Sequence, residues 1–235
     1  MKFKLIIHSL SALAGVVLSA PAINARDAVG FAATFDVKKS DFTPTGRSPF
    51  FVLEPGFQLI YKGVEDGGAT VLTITVLRQT KVVDGVETRV VEERETTDGK
   101  LVEVSRNYFA LSKKTGDAFY FGEDVDMYKD GRVANHEGSW LAGVKNARFG
   151  LGMPARPVPG MRYYQEVAPG FALDRAEIVS VTETIGTPAG KFTGCLKTKE
   201  TSGLEKGTEY KIYAPGIGMV ADGGLKLVKV AKMAS

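Results

Sequence analysis

The chain has 235 residues, and its 30 Lys and Arg against 27 Asp and Glu give a formal net charge of +3. A balance so close to neutral gives no basis for nucleic-acid binding, which requires a clustered basic face. The single cysteine excludes an intramolecular disulfide and any metal site built on thiolates.

The N-terminus predicts a secretory signal. A short basic start is followed by an apolar run over residues 5–20 and then by small residues. The run is shorter than the about 20 unbroken apolar residues of an anchor helix, and it ends at Pro21. We place cleavage after Ala25, with Ala22 as the alternative, so the mature protein is periplasmic or secreted. With no cysteine at the cleavage point and no later apolar stretch of that length, we expect neither a lipid anchor nor a membrane span.

Period-2 alternation in the mature chain predicts half-buried strands. In residues 69–77, Leu72, Ile74 and Val76 alternate with threonines, and residues 101–110 alternate in the same way. Glycine-containing turn signals separate these runs, and Asp-Gly suits tight hairpins because both residues tolerate positive φ. No long stretch carries a helical apolar stripe. The sequence therefore predicts an all-β fold, an antiparallel meander that forms a curved sheet, half-barrel, barrel or sandwich.

The two sides of a Pro- and Gly-rich stretch at residues 150–160 look alike. Pro55-Gly56 matches Pro159-Gly160, and Tyr108 matches Tyr213 at nearly the same offset, which predicts two tandem repeats. Against this, Val104 would match Glu209, so the apolar faces do not coincide there. The predicted organisation is a signal peptide at 1–25, an N-terminal extension at 26–48, a first β-meander unit with an acidic hairpin at 49–153, and a second unit at 154–235, packed together as one globular body.

The densest acidic stretch imitates a calcium loop. Asp126, Asp130 and Glu137 stand at its first, fifth and twelfth positions, but Tyr128 at the third cannot supply a carboxylate. A hairpin turn at Asp130-Gly131 explains the same residues without a metal. We therefore expect no metal and no cofactor, with these three acids as the alternative ligand set.

Glu123 and Glu137 form the alternative catalytic pair. Glycoside hydrolysis needs two carboxyl groups about 5 to 9.5 Å apart, one with a raised pKa. These two glutamates flank the Asp130-Gly131 turn and so could meet on adjacent strands. Acids beside hairpins are commonly solvated side chains. A carboxylate-based hydrolase, for example on a saccharide stacked against Trp140, is therefore the alternative.

Aromatic side chains are the predicted ligand contacts, because their flat faces can stack on a sugar or an apolar ligand. Packing in the core is the competing interpretation of the same residues. The residues concerned are Trp140, Phe119, Phe121, Tyr163 and Tyr164.

His136 and Cys195 are not expected to act in catalysis. His136 is the only histidine after the predicted signal, and no Gly-x-Ser-x-Gly elbow accompanies it. A lone exposed thiol in an oxidising compartment would cross-link or oxidise, so we expect Cys195 to be buried.

Four stretches carry a family resemblance, namely residues 51–56 (FVLEPG), 119–124 (FYFGED), 137–143 (EGSWLAG) and 213–220 (YAPGIGMV). With these motifs the chain resembles a family of uncharacterised secreted bacterial β-rich proteins over nearly all of its mature length. The resemblance implies export and a β-rich fold, and no activity. The C-terminal half also resembles bacterial envelope domains of unknown function, some of them near the half-barrel lipoprotein carriers.

The predicted function is that of an exported envelope protein, not an enzyme, which binds a small or apolar ligand or a partner in the concavity of its sheet. The expected partner is a small molecule or another envelope protein.

Overall fold

The structure is a computed structural model that describes residues 30–233, so the predicted signal peptide lies outside the described residues. Strands fill most of the part described, with one 3-10 turn at Lys39–Asp41 and no α-helix between residues 30 and 233. The first strands are β1 Phe42–Thr43, β2 Arg47–Ser48, β3 Phe51–Val52, β4 Phe57–Glu65, β5 Gly68–Val83, β6 Val86–Thr97, β7 Lys100–Ser112, β8 Ala118–Lys129, β9 Arg132–Asn135 and β10 Trp140–Leu141.

The remaining strands are β11 Arg148–Met153, β12 Arg162–Tyr164, β13 Glu166–Val167, β14 Asp174–Thr187, β15 Gly190–Ser202, β16 Glu209–Ala214, β17 Gly218–Asp222 and β18 Leu225–Lys232. In the same described span, no helix is long and apolar enough to cross a membrane.

Neighbouring strands of the main sheet are antiparallel and follow a meander. One path runs from β4 to β8, and another from β14 to β18, with β18 paired to β4. The path begins at β12, beside β14, and ends at β13, beside β11. Only Gln165 separates β12 from β13, so the two ends of the sheet meet. The predicted all-β antiparallel fold is confirmed, and the sheet is nearly closed and barrel-shaped.

Tight hairpins at Asp-Gly pairs explain why the meander forms. Asp84, Asp98 and Asp130 have φ of 48°, 51° and 53°, and the glycine after each also has positive φ. Two positive φ values in succession define the type I′ turn, whose twist matches that of the flanking strands. The hairpin predicted at Asp130-Gly131 is therefore confirmed.

The two ends of the sheet meet at a seam, formed by β11 on one side and residues 164–167 on the other. Arg148 pairs with Val167 and Phe149 with Glu166, while the Gln165 amide donates to the carbonyl of Asp174 at 2.8 Å. A Cβ on Gly150 would lie 2.6 Å from the carbonyl oxygen of Tyr164, so only glycine fits there.

The N-terminal extension packs on the outer face of the sheet near the seam. Phe42, in β1, lies edge-on to Phe119 and Phe121 of β8 at 5.3 and 5.2 Å between ring centroids. Phe149 of β11 stacks on Phe121 at 4.9 Å. These rings form an apolar layer outside the barrel-shaped sheet and leave its inner face to other side chains.

The two predicted units share one feature and differ in another. Gly56 and Gly160 have φ of 86° and 85°, and a strand follows each Pro-Gly. Tyr108, however, pairs with Val90, whereas Tyr213 pairs with Leu196 and not with Cys195, the residue that the offset would require. The duplication and its boundaries stay a prediction, and the two tyrosines count against it.

Candidate functional site

Cross-strand registers place an unusual set of acids on the inner face of the sheet. Tyr61, a fully buried side chain, faces Leu72, which faces Glu95, which in turn faces Glu103. Residues directly opposite one another in antiparallel strands point to the same face. By the same registers Glu93, Glu123, Asp174, Glu200, Glu209 and Asp222 share that face.

A cavity of about 440 Å³ lies among these acids. Nine carboxylate side chains line it, namely Glu65, Asp66, Glu95, Glu103, Glu123, Glu137, Glu166, Asp174 and Glu205, and no Lys, Arg or His does. Thr97, Val102 and Met127 add to its walls. The volume is that of a small-molecule site, and the lining is strongly anionic.

Three buried carboxyl groups form the deepest part of the cavity. Glu123, Glu166 and Asp174 are 2%, 3% and 9% exposed. Burial, and then the nearby charge of Asp174, raises the pKa of Glu166 well above its usual range, and the two carboxyl groups share a hydrogen bond. Burial likewise raises the pKa of Asp174. The Oε2 atom of Glu166 is buried and has no hydrogen-bond partner among the described residues.

The mouth of the cavity combines acids with exposed apolar side chains. Phe171 and Leu204 are 48% and 40% exposed, and Glu137 and Glu205 are exposed beside them. The Lys145 ammonium lies 4.9 Å from the centroid of the Phe171 ring. The ring face thus already accepts a cation at the entrance.

Lys211 forms a separate buried ion cluster on the same inner face. Its Nζ lies 3.3 Å from both Glu200 Oε2 and Asp222 Oδ2, and its side chain is 2% exposed. Burial alone would lower the pKa of Lys211, but Asp222 and Glu200, with two more distant acids, raise it above its ordinary value. Lys211 is held by these two carboxylates and does not line the cavity, although its charge lowers the pKa of Asp174.

The pKa values predict that the fold becomes less stable as the pH rises from about 5 to about 8. Burial raises the pKa of Glu209 from 4.5 to about 7, and it also raises those of Glu166 and Asp174. A carboxyl whose pKa is higher in the folded than in the unfolded state contributes stability below the unfolded pKa, and loses it as the pH rises through the folded one. Glu209 is faced by Lys211, Asp222, Glu200 and Glu65.

Urea titrations across this range should show the free energy of unfolding falling by roughly 1–3 kcal/mol, because one pKa unit corresponds to about 1.4 kcal/mol. Glu209→Gln should flatten the profile, because an amide does not titrate. A free energy of unfolding that rises over the same range would contradict this account.

The structure brings the predicted catalytic pair to one cavity. Glu123 lies buried in β8, and Glu137 is exposed just after β9, yet both line the cavity. They are not cross-strand partners, because Glu123 faces Asn107 on one side and Trp140 on the other. Their use in hydrolysis stays a prediction.

The five aromatic residues predicted to bind a ligand are all buried, and none of them lines the cavity. Phe119 and Phe121 belong to the outer aromatic layer, and Trp140 packs edge-on against Tyr120 at 5.4 Å. Tyr163 and Tyr164 lie in β12, next to the seam. The competing interpretation, core packing, describes their surroundings, and a contact with ligand stays a prediction.

The alternative metal ligands have other partners. Asp126 contacts Arg106 and the exposed His136, each at 3.0 Å, and Asp130 occupies the hairpin turn. Within residues 30–233, no group of three or more His, Cys, Asp or Glu side chains could hold a metal ion. Cys195 is fully buried and unbonded, as expected from the sequence.

Sequence reasoning missed Glu166, Asp174 and Lys211. For Lys211 a signal was present, because Glu209, Lys211 and Tyr213 alternate along one strand and therefore share a face. Glu166 gave no such signal, since it lies in a two-residue strand whose place depends on closure of the sheet.

No protein-family model and no curated protein matches the chain. Two solved structures resemble it. One is a candidate exported protein with a YmcC-like fold from Bacteroides fragilis NCTC 9343, at 22% identity and a TM-score of 0.45. The other is a candidate lipoprotein from Parabacteroides distasonis ATCC 8503, at 16% identity and a TM-score of 0.38. Each match covers 79% of this chain and all of the other, and similarities this low assign neither family nor function.

Proposed function

We propose that this is an exported, non-catalytic binding protein that takes a small ligand into the acidic cavity of its barrel-shaped sheet. The observation that carries the proposal is the cavity of about 440 Å³, which lies within the range of about 300 to 1,000 Å³ typical of small-molecule sites. Buried acids at its base and apolar side chains at its mouth are the mixture by which such sites orient a ligand.

The proposal is tested by filling the cavity. Val102→Trp adds an indole to the cavity wall, and Val179→Trp adds the same group on an exposed part of β14 that does not line the cavity. We expect compounds in a thermal-shift screen of anionic, neutral and cationic small molecules to raise the Tm of the wild type and of Val179→Trp, but not of Val102→Trp. A ligand at 100 times its Kd stabilises by about 2.7 kcal/mol, which such a screen resolves.

If no compound of any charge class stabilises the wild type, or if Val102→Trp responds as the wild type does, ligand binding in this cavity is refuted. Circular dichroism and the Tm of each variant without ligand establish that the indole has not unfolded the sheet.

Hydrolysis with Glu123 and Glu137 is the second candidate function, and their presence on one cavity favours it. Turnover of chromogenic glycosides by the wild type, lost in Glu123→Gln, would replace the binding proposal. Binding without turnover would leave the cavity as a receptor site.

A further inference from the structure

Building on the proposed function, we propose that the ligand is an organic cation, a protonated amine with an apolar body. Its ammonium group lies against Glu166 in the deepest part of the cavity, and its apolar part extends between Phe171 and Leu204 at the mouth.

The charge of the cavity is the first reason. Nine carboxylate side chains line it and no cationic side chain does, so its field attracts cations and repels anions. The nearby buried cation, Lys211, is held at 3.3 Å by both Glu200 and Asp222 and does not line the cavity. An anionic ligand would therefore be repelled by the carboxylates that line the cavity.

The position of Glu166 is the second and independent reason. Its side chain is 3% exposed, lines the cavity, and leaves Oε2 without a hydrogen-bond partner among residues 30–233. A buried carboxyl oxygen without a hydrogen-bond partner destabilises the folded protein, and an N–H donor from a ligand would remove that penalty. Glu166 lies near Asp174 of β14 and Glu123 of β8, and Glu95 and Glu103 line the same cavity. None of these groups supplies a positive charge, so an ammonium donor from the ligand fits best, because it favours the ionised form of Glu166 that burial disfavours.

The mouth of the cavity indicates what the rest of the ligand is. Phe171 and Leu204 are large apolar side chains, left 48% and 40% exposed at the entrance. The Phe171 ring already makes a cation–π contact with the Lys145 ammonium, which lies 4.9 Å from the ring centroid. A small inorganic cation would leave both apolar side chains in water, whereas an alkylammonium covers them.

The test compares three probes of the same length by isothermal titration calorimetry. Octylammonium carries the charge and the N–H donors, 1-octanol has neither charge nor ammonium group, and octanoate reverses the charge. We expect octylammonium to bind one site at least about tenfold more tightly than 1-octanol, and octanoate to show no binding. Octyltrimethylammonium, which keeps the charge but has no N–H donor, should bind more weakly than octylammonium.

Glu166→Gln keeps the shape of the side chain but cannot form a carboxylate beside the ammonium, and it should weaken octylammonium binding at least about tenfold with 1-octanol unaffected. Glu92→Gln is the control, because Glu92 sits in β6 and faces Arg106 on the outer side of the sheet, 3.9 Å away. It should bind like the wild type. Asp174→Asn provides a second cavity variant should Glu166→Gln fail to fold, and it should weaken octylammonium binding in the same direction.

The outcomes separate this inference from the proposed function. Equal binding of 1-octanol and octylammonium, or unchanged octylammonium binding in both cavity variants, refutes the cation and leaves a binding cavity. A thermal-shift screen in which only anionic or neutral compounds stabilise the protein would also refute the cation and leave a binding cavity. Failure of every probe and of the whole screen refutes both.

Discussion

Lys211→Met is expected to destabilise the fold by about 3–5 kcal/mol, the cost of breaking a buried ion pair by removing one partner. The Lys211 ammonium is the shared partner of Glu200 Oε2 and Asp222 Oδ2. Methionine fills a similar volume without the charge, so Glu200, which is 3% exposed, would keep a carboxylate with no cation beside it. The remaining hydrogen bonds to Glu200, from Thr198, Gln165 and Tyr213, do not supply a positive charge.

Urea unfolding measures the effect, with Lys226→Met as the control. Lys226 lies in β18, opposite Lys62 of β4, and it forms no ion pair with any residue between 30 and 233. Its replacement should therefore change the free energy of unfolding by no more than about 0.5 kcal/mol. Adding Glu200→Gln and Asp222→Asn to Lys211→Met should recover part of the loss, because the uncompensated charges disappear. Equal stabilities of Lys211→Met and Lys226→Met would show that the cluster contributes no net stability.

Gly150→Ala is expected to destabilise the protein by about 3 kcal/mol, at the upper end of the cost of overpacking. The added methyl group would meet the carbonyl groups of Tyr164 and Gln165, which are backbone atoms and cannot rotate aside as a side chain would. The strands on the two sides of the seam would have to move apart. The effect should therefore appear as loss of protection from hydrogen exchange at the Arg148–Val167 and Phe149–Glu166 pairs.

Gly186→Ala is the matched control for that variant. Gly186 also lies in a long strand, β14, but an added Cβ there meets no atom within 4 Å. We expect its stability to stay within about 0.5 kcal/mol of the wild type. If Gly150→Ala behaved in the same way, the seam would be loose enough to admit a side chain, and the sheet would not be tightly closed there.

The sequence was sufficient to predict the strands and their hairpins, because both depend on neighbouring residues. The alternation of Leu72, Ile74 and Val76 and the Asp-Gly pairs act locally, and the structure contains the strands and turns that they predict. Barrel, half-barrel and sandwich share that local pattern. The choice among them depends on the pairing of β18 with β4 and on the seam, which join residues far apart in sequence.

The candidate site could be predicted in part for the same reason. Glu123 and Glu137 could be proposed from the sequence because they flank the acidic hairpin, and both line the cavity. Glu166 and Asp174 become its neighbours only when the seam closes, so no local pattern marks them. The aromatic residues were proposed as ligand contacts because they are large and flat, but large apolar side chains are also the ones most often buried in a core. Trp140 and Phe121 are only 5% and 0% exposed.

The pairing of β18 with β4 also has a consequence for the order in which the chain acquires its structure. Tyr61 near the beginning of the described chain and Leu227 near its end are direct cross-strand partners. The hairpins from β4 to β8 can form as soon as their residues are available, because each joins neighbouring segments. Closure has to wait for β18, and it carries the entropic cost of joining distant segments. A chain threaded through a translocation channel from its N-terminus would thus keep an unpaired edge at β4 until its last strand emerged. During that interval the β4 edge is the part of the meander most exposed to pairing with a strand of another chain.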